Sequence, residues 1–219
     1  MSISTQPVYE HILELGRERP GAVLLDIGCC FGVDSRRAAA DGFPMENIIA
    51  SDINNEFLTL SHEFFQTTPS SYRGHFLPGD VFDPAFLHIA ESSDDLSSAP
   101  ASDLSSLESL NPLHGRISVI NATRLFHLFN EDKQLHLARA LAGLLSAQPG
   151  SVICGDQVGV LEKGITTHNL AGSQLFAHSP ETWSSMWDGD VFRKGSVKVE
   201  THMLHGNRNI MLRWSVTKL

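Results

Sequence analysis

The sequence predicts an α/β fold whose mostly parallel sheet ends in an antiparallel hairpin. Three observations carry this expectation. Short apolar runs alternate with helical patterns along residues 22–187, the rhythm of strand–helix–strand units. A glycine-bearing turn, "GCCFG", follows the first apolar run and opens a helical stretch. The last two runs, "SVKVETHMLH" and "NIMLRWSVTKL", alternate in polarity around a short turn at Gly206-Asn207.

Taken in order, "AVLLDI" is the first strand, and "VDSRRAAADG" is a helix closed by Gly42. "NIIASDI" is the second strand. "NNEFLTLSHEFFQ" is an amphipathic helix with Phe57, Leu60, Phe64 and Phe65 on one face. A short third strand lies in "GHFLPGDV" and a fourth in "RISVINA". The helix "EDKQLHLARALAGLLSAQPG" has Pro149-Gly150 as its stop. "SVICGDQ" is the fifth strand, and a loop rich in Gly and His follows. "SPETWSSMW" opens a helix with Ser179 as N-cap and Pro180 in the first turn. Five strands and the hairpin make seven. Residues 91–112, rich in Ser and Asp, read as an exposed insertion before the fourth strand.

The 219 residues suffice for a single domain, 1–219, with a short helical segment over 1–20. No apolar run approaches the ~20 residues of a membrane span. The start, "MSISTQPVYEHILELG", lacks a basic region followed by an apolar core, so no signal peptide is expected. Three cysteines, two of them adjacent, make no disulfide framework, and a cytoplasmic setting is the simple inference. The net charge of −9, without a basic stripe, argues against a nucleic-acid partner. A small-molecule substrate fits better, and no metal is expected.

The chemistry centres on "LLDIGCCFGVD", residues 24–34. A dinucleotide turn, G-x-G-x-x-G aligned on Gly28, would need glycine at Cys30 and Val33. A phosphate-binding P-loop would need Gly-Lys-Ser/Thr, which is absent. S-adenosylmethionine carries no phosphate and asks only for close backbone approach and carboxylates. Asp26 ends the first strand. Asp52 ends the second, where a ribose-binding acid is expected. Asp80, in "PGDVF", can accept from an adenine amine, with Val81 and Phe82 against the ring.

These residues, with "FLPGDVFD", "INATRLFHLF", "GSVICGDQVG" and "FAHSPETWSSMW", resemble the class I S-adenosylmethionine-dependent methyltransferases. More narrowly, they resemble small fungal methyltransferases of secondary-metabolite pathways, the meroterpenoid type included. The resemblance implies a Rossmann-like fold and cofactor contacts from Tyr9, Asp26, Gly28, Cys29, Cys30, Phe31, Gly32, Asp52, Ile53, Asp80, Val81, Phe82 and Asn121. It implies methyl transfer to a hydroxyl or carboxyl oxygen of a small secondary metabolite. His127 is the candidate base, and Gln157, His168 and Trp183 are candidate substrate contacts. Cys30 replaces the middle glycine of the general E/D-x-G-x-G-x-G pattern. The two thiols read either as small apolar fillers or as reactive groups whose pKa a helix N-terminus lowers. Two alternatives stay open: a cyclase or isomerase on the same fold, and a non-catalytic cofactor-binding partner. The short N-terminal segment leaves the pocket to be closed by that segment, by residues 155–180, or by a second subunit in a homodimer.

Overall fold

The computed structural model describes residues 2–90, 103–167, 174–205 and 210–219. The elements, in chain order, are α1 (Tyr9–Glu18), β1 (Leu24–Ile27), α2 (Val33–Ala40), β2 (Ile48–Asp52), α3 (Asn55–Phe64), β3 (His75–Pro78), β4 (Val119–Asn121), α4 (Glu131–Leu144), β5 (Val152–Val158), β6 (Gly164–Thr167), β7 (Gln174–Ala177), α5 (Pro180–Trp187), β8 (Val197–His205) and β9 (Ile210–Lys218). Seven strands form one sheet in the order β3-β2-β1-β4-β5-β9-β8. β3 through β5 are parallel, and β9 pairs antiparallel with both β5 and β8. The expected sheet and hairpin are therefore present. The Gly206-Asn207 turn lies outside the described residues.

The chain runs outward from β1 to β3 and returns to β4 beside β1. The carboxyl ends of β1 and β4 thus flank the switch point, where open α/β sheets hold ligands. Every residue of β1 and β4 is buried, as strands covered on both faces must be. On one face α1, α2 and the segment at Ile3 pack on Leu24, Ile48, Val119 and Val152. On the other, α4 and α5 pack on Leu25, Ile120, Ile153 and Trp214.

Four expectations are corrected. The predicted face of α3 is not its buried one: Leu60 and Phe64 are exposed, Leu58 and Ser61 are buried, and Phe57 and Phe64 pack on Phe31 instead. Of the insertion expected over 91–112, residues 91–102 lie outside the described residues, and 103–112 is only partly exposed, because Leu104 and Leu110 enter the core with Leu113 and Leu107 packs against it. Leucine recurs there every third residue in "DLSSLESLNPL", the spacing of single-turn 3-10 pieces. The helix α4 ends at Leu144, well before Pro149, because Leu145 turns to bridge Ile117. The stretch after β5 holds a separate hairpin, β6 with β7, rather than loop alone.

Ser179 caps α5 as expected: its Oγ accepts from Thr182 N, and Thr182 Oγ1 accepts from Ser179 N. His178, just before it, is buried between Phe176 and Trp183, with Nδ1 3.1 Å from Thr182 Oγ1. Burial, reinforced by Lys163, pushes its pKa down to about 4. A histidine held neutral contributes stability that is complete above the unfolded pKa and is lost as pH falls towards the folded one. The stability difference between the parent and His178→Gln should therefore narrow by up to about 3 kcal/mol between pH 7 and pH 4. Urea titrations across that window measure it, and a constant difference would remove His178 from the acid response.

Candidate functional site

The turn after β1 is built by backbone hydrogen bonds from its neighbours. Gly28 N and Cys29 N both donate to Ser51 O, at 2.8 and 3.0 Å, and Gly32 N donates to Cys29 O at 2.8 Å. Gly28 and Gly32 are left-handed, with φ of 70° and 71°. A Cβ on Gly28 would lie 2.9 Å from Leu125 Cδ1 and would push that methyl aside. Asp26 holds the turn from behind: Oδ2 accepts from Ser35 N at 3.0 Å, and Oδ1 accepts from Asn121 Nδ2 at 2.8 Å. Asn121 Nδ2 also lies 3.2 Å from Asp34 Oδ2, and Thr123 Oγ1 donates to Asn121 Oδ1. Burial, with Asp34 nearby, pushes the Asp26 carboxyl well above the usual carboxylate range. Asp26 and Asn121, both expected as direct contacts, are buried and brace the loop.

The two cysteines differ. Cys30 is exposed and sits at φ 54°, a left-handed conformation that β-carbons disfavour. Its N–H donates to Asp52 Oδ2 at 2.8 Å. The Cys29 thiol points back to Cys30 O at 3.7 Å. Burial, with Asp26 and Asp52 close by, pushes it well above the usual thiol range. Of the two readings of the thiols, the raised pKa of Cys29 favours the filler over the reactive group.

A cavity of about 350 Å³ opens over this turn. Gly28, Asp52, Ile53, Asp80, Val81 and Phe82 line it, together with Arg124, Leu125, Leu128, Phe129 and Lys133, while Cys29, Cys30, Phe31 and Gly32 do not. Asp52 Oδ1 accepts from Asn54 N and Oδ2 from Cys30 N, so each oxygen keeps acceptor capacity. Asp80 Oδ1 accepts from Phe82 N at 2.9 Å, which fixes the turn that carries Val81 and Phe82. A second cavity, of about 310 Å³, adjoins the first through Leu128 and Phe129. Its other lining residues are His127, Asn130, Ile165, Gln174, Leu175 and Phe176.

Two assignments are corrected. Tyr9 is turned away from the turn: its hydroxyl donates at 2.7 Å to Asp41, at the far end of α2. Trp183 is fully buried, edge-on to Phe126 and Trp214 with ring centroids 5.0 Å away, so it is core and not a surface for substrate. Gln157 is buried in β5, with neither end of its amide hydrogen-bonded among the described residues. His168 lies outside the described residues. Sequence reasoning passed over Arg124, Leu125, Leu128 and Lys133. The first three lie inside the quoted "INATRLFHLF", and what marks them is that they line one cavity with Gly28 and Asp52.

Sheet order, glycine turn and crevice together define the Rossmann-like fold of class I S-adenosylmethionine-dependent methyltransferases. Solved structures agree. A [4+2]-cyclase, SpnF, superposes with a TM-score of 0.60 at 12% identity over 95% of this chain and 79% of its own. The 1,6-didemethyltoxoflavin-N1-methyltransferase of Burkholderia thailandensis, solved with S-adenosylhomocysteine, superposes with a TM-score of 0.56 at 14% identity, over 94% of this chain and 75% of its own. In sequence the chain resembles fungal methyltransferases. It is 30% identical to the O-methyltransferase phiE of a fungal species over 85% of this chain and 55% of phiE. Further methyltransferases of Aspergillus and Penicillium are 26 to 29% identical. The chain spans between 55% and 63% of the length of these relatives. No family model matches it.

The left-handed turn sets the expectation for Cys30. Glycine removes the Cβ strain, about 1 kcal/mol, and frees the unfolded chain by a similar amount. Cys30→Gly should therefore match or exceed Cys30→Ala in unfolding free energy. Denaturant titrations of the pair check this, and a glycine variant less stable than alanine by about 1 kcal/mol or more would mean that the side chain packs.

Proposed function

We propose that this chain is an S-adenosylmethionine-dependent methyltransferase acting on a hydroxyl or carboxyl oxygen of a small secondary metabolite. The observation that carries the reading is Asp52. It ends β2, faces the cavity, and has each oxygen oriented by one backbone N–H while retaining capacity for more donors. That arrangement suits the two hydroxyls of a ribose. Gly28, left-handed and without a Cβ, lines the cavity with bare backbone, and the turn lacks the glycines and the lysine of phosphate sites. When bound, S-adenosylmethionine supplies an electrophilic methyl group on a sulfonium.

The chain's own part is placement and, for a hydroxyl acceptor, removal of a proton. Asp52 holds the ribose, Asp80 accepts from the adenine amine, and Val81 and Phe82 cover the ring. Asp26 and Asn121 keep the turn in place. His127 lines the neighbouring cavity, where it would take the proton of a hydroxyl acceptor. A carboxylate acceptor is already ionised at neutral pH and would need only orientation. Leu128, Phe129, Leu175 and Phe176 give that cavity the apolar walls that a small metabolite requires. The relative named an O-methyltransferase supports oxygen as the target. The proposed setting is the cytoplasm, with a small-molecule substrate and no nucleic-acid or membrane partner. No helix among the described residues is long and apolar enough to cross a membrane. The proposal leaves a homodimer open.

Incubation with methyl-labelled cofactor and a fungal metabolite extract tests the reading, with label expected in an organic-soluble product. Cofactor binding without label in any product would favour cyclisation or a binding role instead. Asp52→Ala should weaken S-adenosylhomocysteine binding by about 2–4 kcal/mol, the loss of paired charge-assisted hydrogen bonds. Unchanged affinity in a calorimeter would contradict the ribose assignment.

A further inference from the structure

We propose that Arg124, held in place by Asp156, receives the carboxylate of the cofactor's amino-acid part. The inference rests on the cofactor reading above and adds a residue to it.

The fold behind the glycine turn is rich in carboxyls, though none of Asp26, Asp34 and Asp156 lines the cavity. Asp26 and Asn121 are register partners on β1 and β4, and Asn121 pairs with Cys154 on β5. Asp156, two residues beyond Cys154, therefore projects from the same face. Asp34 joins this row through Asn121. Asp26 and Asp156 are buried beneath the cavity rather than in its wall, and burial disfavours their ionised forms. The cofactor's amino-acid part carries a carboxylate, and a carboxylate that leaves water needs a cation to meet it.

Among the described residues, two cations line the cavity, Arg124 and Lys133. Lys133 belongs to the opposite end, with Nζ 4.7 Å over the Phe82 ring. Arg124 adjoins Leu125, the residue that crowds Gly28. Arg213, opposite Asp156 in register, already spends both Nη atoms on Thr5, at 2.7 and 2.8 Å.

Arg124 is also held in an unusual way. Its φ is 57°, a left-handed conformation costly for a long side chain and one that clusters at functional sites. Its N–H donates to Asp156 O at 2.7 Å. Its Nε lies 3.9 Å from Asp156 Oδ1. The Asp156 side chain is fully buried, and neither carboxylate oxygen accepts a hydrogen bond among the described residues. The Arg124 side chain is 57% exposed, and Arg124 lines the cavity. Asp156 is thus a positioning residue, and Arg124 presents a permanently charged donor to the ligand.

Calorimetric titration with S-adenosylhomocysteine and with its decarboxylated analogue tests this, since the two ligands differ only in the carboxylate. The parent should prefer S-adenosylhomocysteine. Arg124→Gln and Arg124→Gly should each lose about tenfold or more in affinity for it, the worth of a charge-assisted hydrogen bond. Both variants should bind the decarboxylated analogue within about twofold of the parent, by the same logic. Arg124→Gly also relieves the left-handed strain, so at least one variant keeps its fold. Asp156→Asn should shrink the preference between the ligands without abolishing it, and Arg124→Lys should restore part of it. Equal losses for both ligands, or none for either, would overturn the assignment. A parent that binds neither ligand would remove the cofactor reading itself.

Discussion

The hydrogen bond from Cys30 N to the Asp52 carboxylate, 2.8 Å long, ties the turn after β1 to the end of β2. The rest of the crevice depends on it. Gly28 N and Cys29 N anchor the same turn to Ser51 O, one residue earlier, so backbone and side chain of adjacent residues fix one loop. Gly79 N in turn donates to Asp52 O, which brings the Asp80 turn alongside. Three loops from three strands are thereby set in a fixed relation before any ligand arrives. Such preorganisation lowers the ordering cost of binding.

That organisation works against stability elsewhere. Asp26 is buried with Asp34 nearby, and its raised carboxyl means that the ionised form is disfavoured in the folded chain. For a carboxyl shifted upward, stability falls as pH rises from the ordinary carboxylate range towards the raised value. Asp156 adds a second buried carboxylate whose ionised form burial disfavours, an effect the Arg124 and Arg213 cations partly offset. The apolar mass of the sheet's other face offsets such costs. Phe126, Trp183, Trp187 and Trp214 form one aromatic cluster there, with Trp187 and Trp214 stacked at 5.6 Å. The same cluster draws Trp183 away from the site.

Much of this was legible in the sequence because it is local. The glycine turn, Asp26 within β1 and Asp52 at the end of β2, the Ser179 cap and the polarity of the hairpin each follow from short-range chemistry. What escaped was set by tertiary geometry. Tyr9 sits one helix away from the turn in sequence, yet Asp41 at the far end of α2 claims its hydroxyl. The apolar face of α3 was misplaced because Phe31 offers an aromatic partner on the exposed side. The three-residue leucine spacing of 104–113 was masked by the serines and aspartates around it. Arg124 lay in the quoted "INATRLFHLF" without standing out, since its left-handed φ and its place beside Asp156 are set by tertiary geometry.

The central claim is that the switch-point crevice takes a nucleoside with an amino-acid tail and no phosphate. Thermal unfolding with saturating ligands tests it most directly, because anything that binds only the folded chain raises the melting temperature. S-adenosylhomocysteine should raise it by several degrees, the effect of occupancy at about 100 times Kd on a domain of this size. NAD at the same concentration should leave it unchanged. Stabilisation by NAD and not by S-adenosylhomocysteine would contradict the account.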